Sequence, residues 1–340
     1  MKKILSTFLL LFILCLLLMS SQFVNLVSAN PVPSPPQDLL HIYIRSDGSV
    51  DPATAPIQRA GEVYTFTSHI VNYSIVIQRD NIVIDGEGYS LQNGGWGDEG
   101  IVLNFVNNVT IRNMEIERFH YGIVIGNSSH NTVIGNYIGN NSYAISLEFS
   151  SFNNITKNLV TATYSYGINF WESNNNTIIQ NSVANNINGI GIWCSSNNTI
   201  VENNIANNQI GMGLEAATNN LYYHNNFINN TQNLEINNHG SPSLYPNFGD
   251  NGAAGNYWSN YNGTDNDGDG IGDIPHEIPD QNGIINDQDR YPLMNPFDTS
   301  NPIPEFPSWT PLLIMLIAVP LIAVFYRQNL KKRNQGRMNG

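Results

Sequence analysis

The chain has 340 residues, a net charge of −13 and only two cysteines. All 27 carboxylates but only seven of the 14 Lys and Arg lie between Asp38 and Glu305, so this body carries −20. That sign argues against nucleic acid as a partner, because binding a phosphate backbone requires basic side chains. Cys15 lies in the N-terminal apolar run and leaves Cys194 alone in the body, so an intrachain disulfide is excluded as the source of stability.

The N-terminus has the pattern of a secretory signal. Lys2 and Lys3 precede an apolar run from Ile4 to Met19, and small residues lead to a cleavage site after Ala29. We predict a signal peptide at 1–29, which makes the body an exported protein. An N-terminal cap with irregular first coils is predicted to follow at 30–99.

A repeat of 22 residues occupies 100–240. Its copies begin, with one step of 23, at Gly100, Gly122, Ala144, Gly167, Gly189, Gly211 and Asn233. The first and third residues after each start are apolar, which is strand periodicity. Such a short strand cannot bury one face alone and must stack on the next copy. Since the leucine framework and helix of a leucine-rich repeat are missing, the pattern predicts an all-β, right-handed parallel β-helix.

Asparagines recur within the repeat in two series. They lie at Asn108, Asn131, Asn154, Asn176, Asn198 and Asn220, and at Asn113, Asn136, Asn158, Asn181, Asn203 and Asn225. Asparagine tolerates left-handed corners, and its amide can bond to the same residue in the next coil. Both series are therefore expected to form ladders. Nine Asn-X-Ser/Thr acceptors are present, and several are expected to be occupied in these ladders.

The fourth residue after each start should point outward. This column contains two consecutive tryptophans, Trp171 and Trp193, between Glu148 and Glu215. Aromatic rings beside carboxylates suit sugars, and Gly191 and Gly213 nearby leave space, so we predict a shallow glycan-binding groove. The alternative is that the two tryptophans only stack on each other.

Catalytic residues are harder to identify. Hydrolysis of a glycosidic bond usually requires two carboxyl groups about 5 to 9.5 Å apart. Glu215 and Glu235 are one coil and two residues apart, which makes them the best pair, although a weak one.

The segment 241–298 is predicted to be a C-terminal cap with a calcium loop. In "DNDGDGIGD", Asp265, Asp267 and Asp269 alternate, Ile271 can offer its carbonyl, and Asp273 is ninth. These positions match the start of a calcium loop, although His276 stands where the twelfth-position glutamate is expected. We predict a structural calcium ion that braces the cap.

The C-terminus has the pattern of an anchor. A linker at 299–311 contains "PEF", an apolar segment at 312–326 follows, and a basic tail occupies 327–340. The apolar run is short for a membrane span but within the expected range, and the basic tail should stay in the cytoplasm. The body is then anchored outside the cell.

The motifs "IYIRSDGSV", "NIVIDGEGYSLQ", the "NNTI" repeats and "GNYWSNY…DNDGDGIGDIP" resemble the archaeal surface proteins of the periplasmic copper-binding NosD-type β-helix family. The tail is similar to a PEF-type sorting signal, which implies processing by an archaeosortase. The family name implies copper. However, the seven histidines share no column or ligand spacing, so copper is not favoured.

These observations favour a surface-anchored protein that binds glycans or forms part of the cell envelope. A polysaccharide hydrolase or lyase is the alternative, and a copper-delivery protein is less favoured.

Overall fold

The computed structural model describes residues 40–237, 247–279 and 285–299, and these ranges contain strands and no helix. The predicted signal peptide (1–29), the apolar anchor (312–326) and the basic tail (327–340) lie outside the described residues. Within those ranges there is accordingly no apolar helix of membrane-spanning length.

The described chain forms 28 strands. Seven precede the regular repeat: β1 (Leu40–Ile44), β2 (Val50–Asp51), β3 (Ile57–Ala60), β4 (Val63–Phe66), β5 (Ile70–Val71), β6 (Tyr73–Ile77) and β7 (Ile82–Asp85). The repeat contains β8 (Ser90–Asn104), β9 (Val109–Arg112), β10 (Glu115–Gly126), β11 (Thr132–Ile134), β12 (Tyr137–Gly139), β13 (Tyr143–Glu148), β14 (Asn154–Thr156), β15 (Leu159–Thr161), β16 (Tyr166–Trp171), β17 (Thr177–Ile179), β18 (Ser182–Ala184), β19 (Asn188–Trp193), β20 (Thr199–Val201), β21 (Asn204–Ala206), β22 (Ile210–Glu215), β23 (Leu221–Tyr223), β24 (Asn226–Ile228) and β25 (Gln232–Asn237). The cap adds β26 (Tyr257–Trp258), β27 (His276–Pro279) and β28 (Ile285–Asp289).

These strands form a right-handed parallel β-helix of about eight coils, which confirms the predicted fold class and its 22-residue period. We number coils 1 to 7 from the predicted starts, so that coil 4 begins at Gly167 and coil 5 at Gly189. Each coil supplies one strand to each of three faces. Face 1 contains the long strands, from the second halves of β8 and β10 through β13, β16, β19, β22 and β25.

Apolar side chains from all three faces fill the interior. The two predicted inward columns of face 1 are buried throughout, from Ile101 and Leu103 to Leu234 and Ile236. Each buried aliphatic side chain contributes about 1.5–3 kcal/mol to stability. The recurring glycine has a steric reason, since a Cβ on Gly100 or Gly122 would lie 2.6 Å from a carbonyl oxygen of the next coil.

Asparagine ladders mark the corners, but their membership differs from the prediction. In the first ladder Asn131 is followed by Asn153, not Asn154, and Asn131 accepts the N–H of Val109, not of Asn108. In the second, Asn136 accepts the N–H of Met114, not of Asn113. Each buried amide in a ladder accepts a backbone N–H, and most of them donate to the next amide. Because the members bond to one another, burial of this polar network has a small cost in free energy.

Two further ladders exist that the sequence analysis missed. A third asparagine ladder runs through Asn186, Asn208 and Asn230. A serine ladder passes from coil to coil through Ser128, Ser150, Ser173 and Ser195. The 22-residue recurrence of serine was a signal that could have revealed it.

The two residues of a double asparagine have different structural roles. The first, such as Asn175 or Asn197, has a positive φ, and the second, Asn176 or Asn198, enters the ladder. The glycosylation acceptors Asn140, Asn175, Asn197 and Asn229 are each the first of such a pair, and Asn127 precedes Ser128 of the serine ladder. The expectation that ladders occupy several acceptors is therefore wrong, because the ladder side chains belong to residues next to the acceptors, such as Asn153 beside Asn154, and the acceptors are exposed or partly exposed.

The single 23-residue step has a local cause. Asn141 and Thr163 occupy equivalent places 22 residues apart, whereas Tyr143 pairs with Tyr166 at a separation of 23. The extra residue thus lies at the corner around Tyr164, which is exposed. Strands on either side keep their register.

The C-terminal segment covers the last coils by continuing the ladders. Asn247 accepts the N–H of Asn220, and Asn256 accepts that of Asn225. The ring of Trp258 is buried and stacks on Phe227, with centroids 4.3 Å apart. Polar and aromatic contacts of the cap therefore replace those that a further coil would make.

Candidate functional site

The outward column of face 1 brings the predicted glycan residues together. Strand pairing aligns Glu148 with Trp171, Trp171 with Trp193, and Trp193 with Glu215. The column follows from the repeat, because parallel in-register pairing places equivalent residues of successive coils side by side. Trp171 is 42% exposed, so its ring is available to a ligand.

The tryptophan rings stack on each other, as the structural alternative proposed. Their centroids are 6.4 Å apart with an angle of 29° between the planes. Trp193 also contacts Tyr166 edge to face at 5.9 Å, and Tyr166 stacks on Tyr143. The two rings therefore stack on each other, and the Trp171 side chain is still exposed to solvent.

The two glycines next to Trp193 differ in the space they leave. A Cβ on Gly191 would lie 2.7 Å from the Tyr166 ring and 2.9 Å from Nε1 of Trp193, so this space is filled. At Gly213, one coil further, a Cβ would meet no described atom within 4 Å beyond its chain neighbours. The open space predicted beside Trp193 is therefore restricted to the Gly213 side.

We call this opening the Gly213 notch. Gly213 is its floor, Trp193 and Tyr166 are on one side, Glu215 lies two residues along the same strand, and Glu235 pairs with Gly213 from coil 7. Burial raises the pKa of the Tyr166 phenol to about 12, with further contributions from Tyr143, Glu215 and Glu235. Both carboxylates are thus within electrostatic reach of the aromatic side.

The two weak catalytic candidates border the same notch. Glu235 pairs with Gly213, and therefore lies diagonally to Glu215 across neighbouring strands. Both are partly exposed.

The predicted calcium loop lies at the edge of the cap. Carboxylate oxygens of Asp265, Asp267 and Asp269 all lie within 4.8 Å of one another. Asp265 accepts the N–H groups of Gly268 and Gly270, both of which have a positive φ. Three like charges at this spacing repel one another and favour a cation between them.

The other two predicted ligands differ in placement. Asp273 lies outside the carboxylate cluster because its Oδ2 accepts the N–H and the side-chain amide of Asn266, at 2.8 and 2.6 Å. Ile271 pairs with Leu293 across a bridge whose hydrogen bonds are made by Gly272 and Gly270. The Ile271 carbonyl takes no part in these two hydrogen bonds.

A copper site requires imidazole or sulfur ligands grouped in space. In the described ranges, the group of three aspartates is the one cluster of three or more His, Cys, Asp or Glu ligands, and it offers oxygen alone. The histidines are dispersed: His130 stacks on Phe152, His224 on Phe297, and His276 lies against Trp258. Met114 and Met212 are buried in the core. The donors that the structure describes do not fit copper.

The fold has relatives among solved structures, although no curated protein matches the chain. Fourteen solved chains match. The periplasmic alginate epimerase AlgG is 18% identical, over 49% of this chain and 40% of that chain, with a TM-score of 0.39. Pectate lyase Pel9A is 14% identical, over 57% of this chain and 63% of that chain, with a TM-score of 0.36. Tailspike protein 2 from Escherichia coli O157:H7 bacteriophage CAB120 is 15% identical, over 51% and 29%, with a TM-score of 0.42.

This chain spans less than two thirds of the length of each of these three proteins. A family model gives the more extensive match. The model of the periplasmic copper-binding protein (NosD) matches residues 63–263, from the first coils to the cap. Because this match covers more than half of the chain, the protein belongs to the NosD family of periplasmic copper-binding proteins.

Proposed function

We propose that this protein is an exported β-helix of the cell surface that binds carbohydrate on face 1. The observation that carries the proposal is the pair of adjacent tryptophans, Trp171 and Trp193, on an outward column flanked by Glu148 and Glu215. An exposed tryptophan places a large apolar surface in contact with water, which is unfavourable in free energy unless a ligand covers it. Export is consistent with the periplasmic family.

Carbohydrate is the ligand class that suits this combination. A sugar ring has an apolar side that packs on an aromatic ring and hydroxyl groups that donate to carboxylates. The face 1 column offers both within successive coils spaced about 4.8 Å apart. A polysaccharide chain could therefore contact several coils at once.

The test is binding of the purified body to a panel of neutral, acidic and amine-bearing polysaccharides. A variant with Trp171→Ala and Trp193→Ala should bind at least tenfold more weakly, because each aromatic contact contributes about 0.5–1.5 kcal/mol beyond its buried area. Tyr164→Ala is a suitable control, since this exposed tyrosine lies at a corner away from the column. Unchanged affinity of the double variant, with its fold intact, would disprove the proposal.

A polysaccharide hydrolase or lyase is the second candidate, because Glu215 and Glu235 border the same notch. Incubation of the wild-type protein with the same panel should then release shorter chains, and Glu215→Gln should stop this release while binding persists. A panel that is bound but not shortened rejects the enzyme and leaves the binding function.

Two further proposals concern the rest of the chain. We propose that calcium occupies the loop of Asp265, Asp267 and Asp269 and stabilises the cap. We also propose that the segment at 312–326 anchors the protein, with or without processing at the PEF motif.

A further inference from the structure

We propose that three of the Asn-X-Ser/Thr acceptors, Asn175, Asn229 and Asn262, are N-glycosylation sites of the exported protein. Export of the body is required for this modification, whereas carbohydrate binding on face 1 is not. Nine acceptors are present, but the motif alone does not show which side chains an enzyme can reach. They differ in the exposure of the asparagine, in the exposure of the hydroxyl residue two positions later, and in the hydrogen bonds of the amide.

The corner of coil 4 turns both recognised side chains of its acceptor outward. Asn175 has a φ of 56° and is exposed, and Thr177 begins strand β17 with its side chain partly exposed. Asn176, between them, points inward and is 1% exposed, because its amide belongs to the first ladder. A ladder residue in the middle of the motif therefore places the asparagine and the hydroxyl on the outside.

Asn229 has the same arrangement at the corner after β24. Its φ is 52°, Asn230 follows it in the third ladder, and Thr231 is exposed. In the cap, Asn262 and Thr264 are both exposed. The side-chain amides of Asn175, Asn229 and Asn262 form no hydrogen bond to another described residue. These three acceptors therefore combine an exposed asparagine, a reachable hydroxyl and an unengaged amide.

Two other acceptors are unsuitable because their hydroxyl residue is buried. Ser74, two residues after Asn72, is 1% exposed, and Thr156, two residues after Asn154, is 7% exposed. The side-chain oxygen of Asn154 is itself buried, without a hydrogen-bond partner among the described residues. An enzyme could reach these two hydroxyls only if the coil opened.

The remaining four acceptors donate an amide N–H to a neighbouring side chain. Asn108 donates to Asn81 at 2.9 Å, and Asn140 donates to Glu117 at 3.0 Å. The bonds made by Asn197 and Asn127 are longer, at 3.3 and 3.5 Å. We expect all four to be modified less than the three proposed sites.

The transfer reaction explains why an engaged amide is at a disadvantage. The amide nitrogen forms a bond to the anomeric carbon of a sugar and loses a proton, while the bond from that carbon to the phosphate of a lipid-linked oligosaccharide breaks. An amide that is bonded to a neighbour has to give up this contact first. Asn197 has a further disadvantage, since it lies one coil from Asn175, about 4.8 Å away, where a glycan on Asn175 would obstruct it.

The test is mass spectrometry of the protein isolated from the cells that produce it, after digestion at Lys, Arg and Glu. Asn229 and Asn262 then lie on the peptides 216–235 and 236–277, Asn175 lies on 173–202, and Asn154 lies on 149–157. The first three peptides should carry a glycan, and fragmentation should locate it on the proposed asparagines. Absence of a glycan from all three sites, or its presence on Asn154, would disprove the assignment.

Two variants of one residue separate recognition from folding. Thr177→Val removes the hydroxyl and keeps a β-branched side chain, so the glycan on Asn175 should be lost while the circular dichroism spectrum stays unchanged. Thr177→Ser keeps a hydroxyl and should keep the glycan. Equal modification of Asn175 in both variants would show that this attachment does not depend on the acceptor motif, and the assignment would be wrong.

Asn219 offers a matched test by gain of a site. It occupies the equivalent corner of coil 6, with a φ of 56°, and Asn220 after it enters the ladder, but Leu221 stands where coil 5 has Thr199. Asn219 should be unmodified in the wild-type protein and should gain a glycan in Leu221→Thr. If this variant folds like the wild-type protein and gains no glycan, corner geometry does not select the sites and the inference is wrong.

Discussion

Two buried aspartates in the cap set a pH dependence at the scale of single residues. Asp287 accepts a hydrogen bond from the Tyr222 hydroxyl at 2.7 Å, and Asp289 accepts one from Nε1 of Trp258 at 2.8 Å. Burial raises the pKa of Asp287 to about 7 and that of Asp289 to about 6. The folded cap thus retains protons that the unfolded chain releases near the ordinary value of 3.8.

Because the folded state binds more protons in this window, the stability of the cap should fall as the pH rises from about 4 to about 7. Asp250, bonded to Arg290, has a lowered pKa, and its contribution should be lost only as the pH falls through and below its ordinary value. Hydrogen exchange of the Tyr257–Trp258 segment, corrected for intrinsic rates, should show stronger protection at pH 5 than at pH 8. Amides of β17 serve as the internal control.

Asp287→Asn should reduce this difference in protection, because the neutral side chain no longer titrates. Equal protection of the segment at pH 5 and pH 8 in the wild-type protein would contradict the assignment of these two carboxylates.

Residue positions on face 1 could be predicted from the repeat, but their contacts could not. The register placed Trp171 and Trp193 in one column, because a strand period of two and a repeat of 22 fix direction and neighbour. The filling of the Gly191 space depends on the side-chain conformation of Tyr166, which lies on the neighbouring strand β16. A sequence repeat specifies the position of a residue on its strand and the face to which its side chain points. It does not specify which neighbouring side chain is contacted.

At the scale of elements, the ladders illustrate a similar limit. Double asparagines leave a choice between two adjacent residues, and the prediction chose Asn154 where the ladder contains Asn153. In this coil Phe152 adopts the left-handed conformation, and Asn153, which follows it, enters the ladder, so an asparagine pair does not by itself show which residue is left-handed. The second ladder escaped this ambiguity from coil 2 onward, because Asn136, Asn158 and Asn181 follow residues of other types.

The acidic loop of the cap should make stability depend on calcium. The loop is joined to the cap through Met294, whose N–H donates to Gly270, and Leu293, whose N–H donates to the ladder residue Asn256. A ligand that binds only the folded state adds about 2.7 kcal/mol at a hundredfold excess over its dissociation constant. The wild-type protein should therefore melt at a higher temperature in calcium than in chelator.

A variant with Asp267→Ala and Asp269→Ala should melt at the same temperature in both conditions. The matched control, with Glu172→Gln and Glu202→Gln, loses two negative charges on coils distant from the loop and should keep the calcium effect. Identical wild-type melting curves in calcium and chelator would reject the site.

At the scale of the whole molecule, the predicted anchor has a direct test. Deletion of residues 304–340 should release the body into the medium, because the apolar segment at 312–326 supplies the membrane affinity. A second variant that replaces 312–326 by a polar linker of equal length separates this effect from loss of the basic tail. Cell fractionation and blotting measure both. Retention of the polar-linker variant in the membrane fraction would show that the anchor lies elsewhere.

The whole fold was predictable because one local rule is repeated. Apolar alternation and corner residues recur about every 22 residues, five of the seven copies start with glycine, and each copy is consistent with its neighbours. The cap was only outlined, since its contacts join residues far apart in sequence, such as Tyr222 to Asp287 and Asn226 to Phe297. The 22-residue repeat predicts contacts between coils only within the part of the chain that it covers, and the cap lies beyond that part.

The extra residue at the corner around Tyr164 has a consequence for how such a chain can change in evolution. Coil 3 is longer than its neighbours, yet the strands before and after it pair in register. The length of one coil is therefore decided within that coil and is not transmitted to the next. Unequal recombination within the gene could add or remove a whole coil and leave every remaining interface as it was, so members of such a lineage would differ in length by steps of one coil while sharing both ends.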